Sequence, residues 1–202
     1  MCALTLALIA CVSALYLATA DRVRRNADLL LQRAVMEVAG VPAPARPAEV
    51  AAWFERCVEA EPAGSRTSFR VRDGASGETL ALAFVCTGRG LWGPITAVAG
   101  VAPDRRAFRE FRILEQNETP GLGARIAEAW FMGQTLGKRG PLTLVPEGAR
   151  SQAPTEIDAI TGATVSSTAV RDMLNGVWRE QCAGNAVRQA GRDEEVGHGR
   201  QE

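Results

Sequence analysis

Histidine is almost absent from this chain of 202 residues: His198 is the only one, and it lies in a polar C-terminal segment. A Ser-His-Asp triad needs a histidine base, and many catalytic zinc sites use several histidine ligands. The sequence therefore argues against a histidine-based triad and against a multi-histidine metal site. We predict no catalytic residue and no metal ligand.

Paired cysteines and an excess of charge are missing as well. The cysteines are Cys2, Cys11, Cys57, Cys86 and Cys182. None forms a C-x-x-C pair, which argues against a zinc ribbon or a cysteine-ligated iron–sulfur cluster. We expect Cys86, on an apolar stretch, to be a buried thiol. The 23 basic and 23 acidic side chains cancel, so there is no electrostatic case for binding nucleic acid.

The first 20 residues contain no charged side chain. As a helix they would span about 30 Å, the thickness of a hydrocarbon core, so we predict a transmembrane anchor at 1–20. A cleaved signal peptide is an alternative, because Ala18-Thr19-Ala20 fits a cleavage site, although no basic residue precedes the run. Arg22, Arg24 and Arg25 follow the run, so the positive-inside rule would leave the remaining chain in the cytoplasm.

The rest of the pattern predicts an α+β fold, in which the N-terminal transmembrane helix is followed by an antiparallel sheet flanked by helices. Helical spacing covers 26–39, 48–60, 124–131 and 165–181, and strand patterns cover 68–72, 79–86, 95–101, 108–114 and 142–145. Four strands in succession without a helix favour an antiparallel sheet. The predicted units are the anchor at 1–20, a juxtamembrane helical segment at 21–60, a main domain at 65–182 and a polar, disordered tail at 183–202.

The segment from Asp158 to Ser167, DAITGATVSS, opens the last predicted helix. In one interpretation it is only a helix start, with Thr161 or Thr164 as the N-cap and Gly162 allowing the turn. In the other, the free amides and the positive end of the helix dipole bind an anionic group such as a phosphate beside a threonine hydroxyl.

Two earlier segments are rich in glycine. In Glu118–Gly123, ETPGLG, the order Pro120-Gly121 predicts a type II turn, and a flat ring stacked on Leu122 would explain an apolar residue there. In Gly88–Pro94, GRGLWGP, Trp92 either folds onto the sheet or forms an aromatic wall beside a ligand.

Together, the three segments resemble the FMN-binding domain of the subunit designated C of the sodium-pumping NADH:quinone reductase. The segments ETPGLG and DAITGATVSS are shared with the subunit designated G of the Rnf electron-transport complex, and the GLW sequence makes the subunit designated C the nearer match. The resemblance covers roughly residues 88–180. It implies FMN joined through its phosphate to the hydroxyl of Thr164, in a reaction performed by a separate flavin transferase with FAD as donor. Asp158 matches the start of the transferase recognition motif.

The resemblance also implies the other cofactor-binding residues. They are Thr161, Gly162, Ala163, Glu118, Thr119, Leu122, Gly123 and Trp92. Gln134 stands where the family usually has a lysine, and Lys138 is the only lysine of the chain.

The function implied is that of a membrane-anchored electron-transfer subunit, not a stand-alone enzyme. It would relay electrons among other subunits of an ion-translocating NADH:quinone reductase or Rnf-type complex. The resemblance places its soluble domain on the outer, periplasmic side of the bacterial inner membrane, opposite to the charge rule. Two alternatives stay open: a membrane-anchored flavin-binding sensory or accessory module, and a cofactor-free interaction domain in which the three loops are only turns.

Overall fold

The computed structural model describes the backbone of residues 2–63 and 66–198 and the side chains of residues 3–61 and 66–181. Two helices come first, and five strands follow them. These elements are α1 (Cys2–Val38), α2 (Pro47–Cys57), β1 (Val58–Ala63), β2 (Arg66–Arg72), β3 (Thr79–Arg89), β4 (Pro94–Val101) and β5 (Phe108–Glu115). The remainder is a 3-10 turn (Gly123–Ala127), α3 (Ala129–Gly133), β6 (Thr143–Val145), β7 (Glu156–Asp158) and α4 (Thr164–His198).

The five long strands form one antiparallel meander in the order β1-β2-β3-β4-β5. The predicted α+β class with an antiparallel sheet is confirmed, and β2 and β3 form a hairpin. The short strands β6 and β7 form a separate parallel pair. The sequence predicted β6 but not β7, whose three residues are too few to show an alternating pattern.

Both faces of the sheet are covered, which explains the unbroken apolar sequence of β3. Leu82, Phe84 and Cys86 point to a core shared with α4, while Ala81 and Ala83 point to a second core shared with α1 and α2. Successive side chains of a strand alternate between faces, so a strand covered on both sides is apolar throughout. The domain therefore has three layers, with the sheet in the middle.

Cys86 is a buried thiol, as predicted. It is 1% exposed, and its sulfur donates to the carbonyl of Ala97 at 3.6 Å. Burial raises the pKa of the Cys86 thiol to about 12, so it stays protonated and unreactive.

The helix predicted at 48–60 ends earlier, at Cys57. Val58 adopts extended dihedrals (φ −122°, ψ 125°) and pairs with Val71 of β2, so 58–63 becomes the edge strand β1. Pro62 is tolerated there because an edge strand has one side without hydrogen-bond partners. The sheet thus begins ahead of residue 65, where the predicted main domain starts.

Two other predicted helices have different bounds. The helix expected at 124–131 is a 3-10 turn and the short α3, separated by the extended residue Glu128 (φ −73°, ψ 144°). The last helix continues beyond its predicted end at Gln181 to His198. Residues after Gln181 include many strong helix formers, and a single glycine costs only about 1 kcal/mol. The prediction of a disordered tail at 183–202 concerns residues whose side chains lie outside the described ones.

α1 is one continuous helix across the predicted anchor and the amphipathic segment at 26–39. Its apolar first part is wholly exposed, whereas Val35 and Val38 are buried against the sheet. By length and composition α1 can cross a membrane, and a signal sequence would have the same properties.

Candidate functional site

Three loops meet at one end of the sheet. They are the turn between β3 and β4, the loop that follows β5, and the start of α4. Between them lies a cavity of about 270 Å³. Its lining consists of Leu91, Glu118, Thr119, Leu122, Gly123 and the run Gly162–Ser166. The segments on which the resemblance rests are therefore neighbours in space, although they are far apart in the chain.

Glu118 holds the three loops together. Its side chain is only 5% exposed, and its carboxylate accepts the backbone N–H of Trp92 at 3.1 Å and the hydroxyl of Ser166. Burying a carboxylate is costly unless donors replace the lost water. Glu118 thus fixes the distance between the β3–β4 turn and the start of α4 instead of being free to contact a ligand with its carboxylate.

Two glycines are required by the close packing around Glu118. A Cβ on Gly90 would lie 2.5 Å from Glu118 Oε1, and a Cβ on Gly123 would lie 2.6 Å from Ser166 Oγ. Such distances are too short for carbon and oxygen. Gly123, predicted as a cofactor-binding residue, therefore also serves to let the loop after β5 approach α4.

The turn before Gly123 is the predicted type II turn. Gly121 has φ +73°, which glycine adopts without strain, and the N–H of Leu122 donates to the carbonyl of Thr119 at 3.1 Å. The turn directs Leu122 towards α4, where its Cδ2 would lie 3.2 Å from a Cβ on Gly162. Leu122 therefore forms an apolar wall of the cavity.

Apolar side chains surround the mouth of the cavity and remain exposed. Trp92 is 69% exposed, and its indole N–H donates to Thr119 Oγ1 at 3.0 Å. We define the apolar rim as Leu91, Trp92, Leu122 and Val165, each at least 46% exposed. Trp92 is therefore not folded onto the sheet, and its indole is oriented by a hydrogen bond.

Thr164 is the first residue of α4, and its exposed side chain lines the cavity. Ser167 fixes this helix start: its hydroxyl donates to the carbonyl of Ala163 and accepts the N–H of Ile160, both at 3.0 Å. The first amides of a helix have no acceptor within it, and the helix dipole is positive at that end. Thr164 thus combines an accessible hydroxyl with an environment that favours an anion.

The region that contains these loops matches a known family. Residues 90–178 match the family model described as FMN-binding domain. This part of the chain is therefore similar to the FMN-binding domain family. All residues that line the cavity lie within the matched range.

Several curated proteins are similar to this FMN-binding domain. One is the subunit designated G of the proton-translocating ferredoxin:NAD(+) oxidoreductase complex of Clostridium ljungdahlii. It is 36% identical over 94 residues, which are 46% of this chain and 49% of that protein. Another is the subunit designated C of the Na(+)-translocating NADH-quinone reductase of Neisseria meningitidis serogroup B. It is 33% identical over 90 residues, 42% of this chain and 35% of that protein. The chain thus covers half or less of these relatives.

Solved structures share the fold. The crystal structure of NqrC from Shewanella oneidensis has a TM-score of 0.66 at 20% identity, covering 75% of this chain and 91% of that one. The corresponding subunit of the Na(+)-translocating NADH-quinone reductase from Parabacteroides distasonis has a TM-score of 0.63, also at 20% identity, covering 76% and 89% of the two chains.

Asp158 lies outside the cavity of the FMN-binding domain. Its buried carboxylate accepts the N–H groups of Gly148 at 2.8 Å and Arg150 at 3.3 Å. Its own backbone N–H donates to the side chain of Gln134 at 2.6 Å. Asp158 therefore orders the loop between β6 and β7, and Gln134, at the position where the family usually has a lysine, supports β7.

Lys138 is also structural. Its ammonium group donates to the carbonyls of Ser151 at 3.1 Å and Ala153 at 2.7 Å. With Asp158 and Gln134 it borders a second cavity of about 550 Å³.

Glu147, which no sequence pattern indicated, supports the loop that carries Thr164. Its carboxylate accepts the N–H of Thr161 at 2.7 Å and forms an ion pair with Arg125 at 2.7 Å. The hydrogen bond from Arg125 is the main reason that the pKa of Glu147 falls to about 2, and the Thr161 N–H adds to it. Glu147 belongs to no recognisable motif, and only the fold brings it to residue 161.

Proposed function

We propose that this chain is a membrane-anchored electron-transfer subunit that carries FMN covalently on Thr164. The observation that carries the proposal is the accessible hydroxyl of Thr164 at the start of α4, in a cavity formed by three loops of an FMN-binding domain. The flavin would supply the redox chemistry, since it accepts two electrons and can pass them on singly.

The residues of the cavity fit the parts of FMN. The first amides of α4 and the positive helix end suit the phosphate. Leu122 and Trp92 offer apolar surfaces for the ring, and Gly162 (φ +77°) provides a turn without a side chain beside Leu122. A volume of about 270 Å³ is slightly below the range of roughly 300–1,000 Å³ for ligand pockets, so part of the cofactor would remain at the open mouth.

Maturation requires a transfer reaction. The Oγ1 of Thr164 would attack the phosphorus of the FMN half of FAD, the P–O bond to AMP would break, and the hydroxyl proton would pass to solvent. A separate flavin transferase would perform this step, as the family resemblance implies, and the buried carboxylate of Glu118 is already bound by Trp92 and Ser166. Asp158 would act at the level of transferase recognition, through the loop that it orders.

The relatives support our proposal for the partners, and the family resemblance supports our proposal for the location. The similar proteins are subunits of ion-translocating oxidoreductase complexes, so we infer that this chain works beside other membrane subunits. We place the soluble domain on the outer side of the inner membrane, with α1 as anchor. A tethered cofactor suits that location, since free FMN would be diluted there.

The direct test is co-expression of the full chain with a flavin transferase, followed by a denaturing gel viewed under ultraviolet light. The wild-type band should fluoresce, Thr164→Val should be dark, and Thr67→Val should fluoresce. Thr67→Val is a matched control because Thr67 is also an exposed threonine but lies on β2 and does not line the cavity. A dark wild-type band, or a fluorescent Thr164→Val band, would contradict the proposal.

A second candidate is a flavin-binding sensory or accessory module outside such a complex. It shares the FMN-binding domain with the first candidate and differs only in its partners. Mild solubilisation of native membranes separates the two: migration with several partners supports the electron-transfer subunit, and migration as a lone small protein supports the module.

A further inference from the structure

The direction of α1 fixes which end of the domain faces the membrane. The C-terminal end of α1 lies beside the N-terminal end of β5: the carbonyl of Ala39 accepts from Arg109 at 2.6 Å, and Glu37 pairs with Arg112 at 2.7 Å. Val35, four residues earlier, is still buried against the sheet. Traced backwards, α1 therefore runs along β5 and leaves the sheet at the C-terminal end of that strand.

The cavity lies at the same end of the sheet. The loop that contains Glu118 follows the C-terminal end of β5, and the β3–β4 turn lies next to it, because Thr96 pairs with Glu115. The opposite end carries the β2–β3 hairpin. A membrane that holds the first part of α1 would therefore face the cavity and not the hairpin.

The length of α1 from the sheet to its first charged residue matches the length of β4 from the same level to the β3–β4 turn. A Cβ on Gly100 would lie 3.0 Å from Val38 Cβ, which sets a common level for sheet and helix. From Val38 back to Asp21, 17 helical residues span about 26 Å. From Gly100 back to Gly93, seven strand residues span about 23 Å. The tip of the β3–β4 turn is thus level with the first charged residue after the apolar run.

The side chains around the β3–β4 turn suit a position at the membrane surface. The apolar rim of Leu91, Trp92, Leu122 and Val165 is exposed, and tryptophan is enriched where hydrocarbon meets headgroups. Arginine side chains of α1 at 22, 24 and 25 lie at the same level, where lipid phosphates would be.

We propose that the apolar rim rests in the interface of the bilayer that α1 spans, so that the cavity opens at the lipid surface. This inference relies on the membrane anchor of the proposed function but not on the covalent FMN. It commits to lipid as the contact, because the position of the rim is set by the anchor of this same chain. A flavin on Thr164 would then lie beside the membrane and not at the distal end of the domain.

The test is a depth measurement on the full chain in phosphatidylcholine nanodiscs. Spin labels are placed at Leu91→Cys and, as a matched control on the opposite hairpin, at Ser76→Cys, with Cys2, Cys11 and Cys182 changed to serine. Collision with oxygen, which enters lipid, is compared with collision with a water-soluble nickel chelate. The label at 91 should favour oxygen several-fold over the label at 76. Equal values at the two sites would overturn the proposal.

A replacement label site and two further controls complete the experiment. If Leu91→Cys does not fold, Gly93→Cys replaces it, because a Cβ there has only ordinary contacts, the nearest at 3.5 Å from Asn117. A label that collides freely with the nickel chelate until membrane subunits are added, and is then shielded from both reagents, would overturn the lipid contact in favour of a protein contact. A chain that does not enter nanodiscs refutes the anchor and this inference together, while flavin fluorescence on a denaturing gel reports separately on Thr164.

Discussion

Two turns of the same sheet differ in what holds them. The β2–β3 hairpin is held by contacts between near neighbours in sequence. The carboxylate of Asp73 accepts the backbone N–H of Ser76 at 2.9 Å and the hydroxyl of Ser76 at 2.8 Å. The β3–β4 turn has one local hydrogen bond, from the N–H of Gly90 to the carbonyl of Gly93 at 2.8 Å, and depends in addition on Glu118, 26 residues away from Trp92. The hairpin tip is polar, whereas the β3–β4 turn exposes Leu91 and Trp92. A turn held by a distant buried carboxylate and exposing apolar groups is shaped for a ligand or a surface.

Replacing the carboxylate that holds each turn should give the largest difference in stability between the two turns. Glu118→Ala leaves the N–H of Trp92 and the hydroxyl of Ser166 without their acceptor, so it should lower the free energy of unfolding by about 2–4 kcal/mol. Asp73→Ala should have a smaller effect, because that carboxylate is exposed to water. Urea denaturation of both variants measures the difference. Equal losses would show that Glu118 does not bind the loops together.

Alanine in place of one glycine near each turn should show the same difference in stability, with smaller losses. Gly123→Ala places a Cβ 2.6 Å from Ser166 Oγ and should cost about 2–3 kcal/mol, along with flavin attachment. Gly77→Ala, at φ +72° with open space around it, should cost about 1 kcal/mol of backbone strain and leave attachment intact. Thermal unfolding and gel fluorescence report the two quantities. Normal flavin attachment in Gly123→Ala would refute the close packing of that loop against α4.

The smallest predicted effect is that of low pH on the carboxylates of the site and of the hairpin. The pKa of Glu147 is about 2 in the folded chain, below its ordinary value of 4.5, so its contribution to stability is complete above pH 4.5 and is lost as pH falls towards 2. The pKa of Asp73 is also lowered, chiefly by the N–H of Ser76. Carbon-13 NMR of the carboxyl groups should show Glu147 still ionised near pH 3.5. Titration of Glu147 at its ordinary value would contradict the contact with Arg125 and Thr161.

Local chemistry made part of this structure predictable. Strand-like sequence patterns located β2 to β5, and Pro120-Gly121 indicated the correct turn type, because those signals lie within a few residues of the structure they specify. The strand β1 was missed since its apolar spacing also suits a helix, and only pairing with β2 decides between them.

The site was predictable to the extent that it follows the motifs. Thr164, Leu122 and Gly123 lie together as the resemblance implied, whereas Asp158 orders a neighbouring loop. Glu118 links the β3–β4 turn to α4, and Glu147 supports the loop before Thr164. Both roles depend on contacts between distant parts of the chain. Such contacts leave no periodic trace in a single sequence.

The most direct measurement of the central claim is peptide mapping of the flavin after co-expression with a transferase. Cleavage after Arg150 and Arg171 releases the peptide 151–171, which contains both Thr161 and Thr164. Fragmentation in the mass spectrometer should place one FMN moiety on Thr164. An unmodified peptide, or FMN on any other residue, would contradict the account.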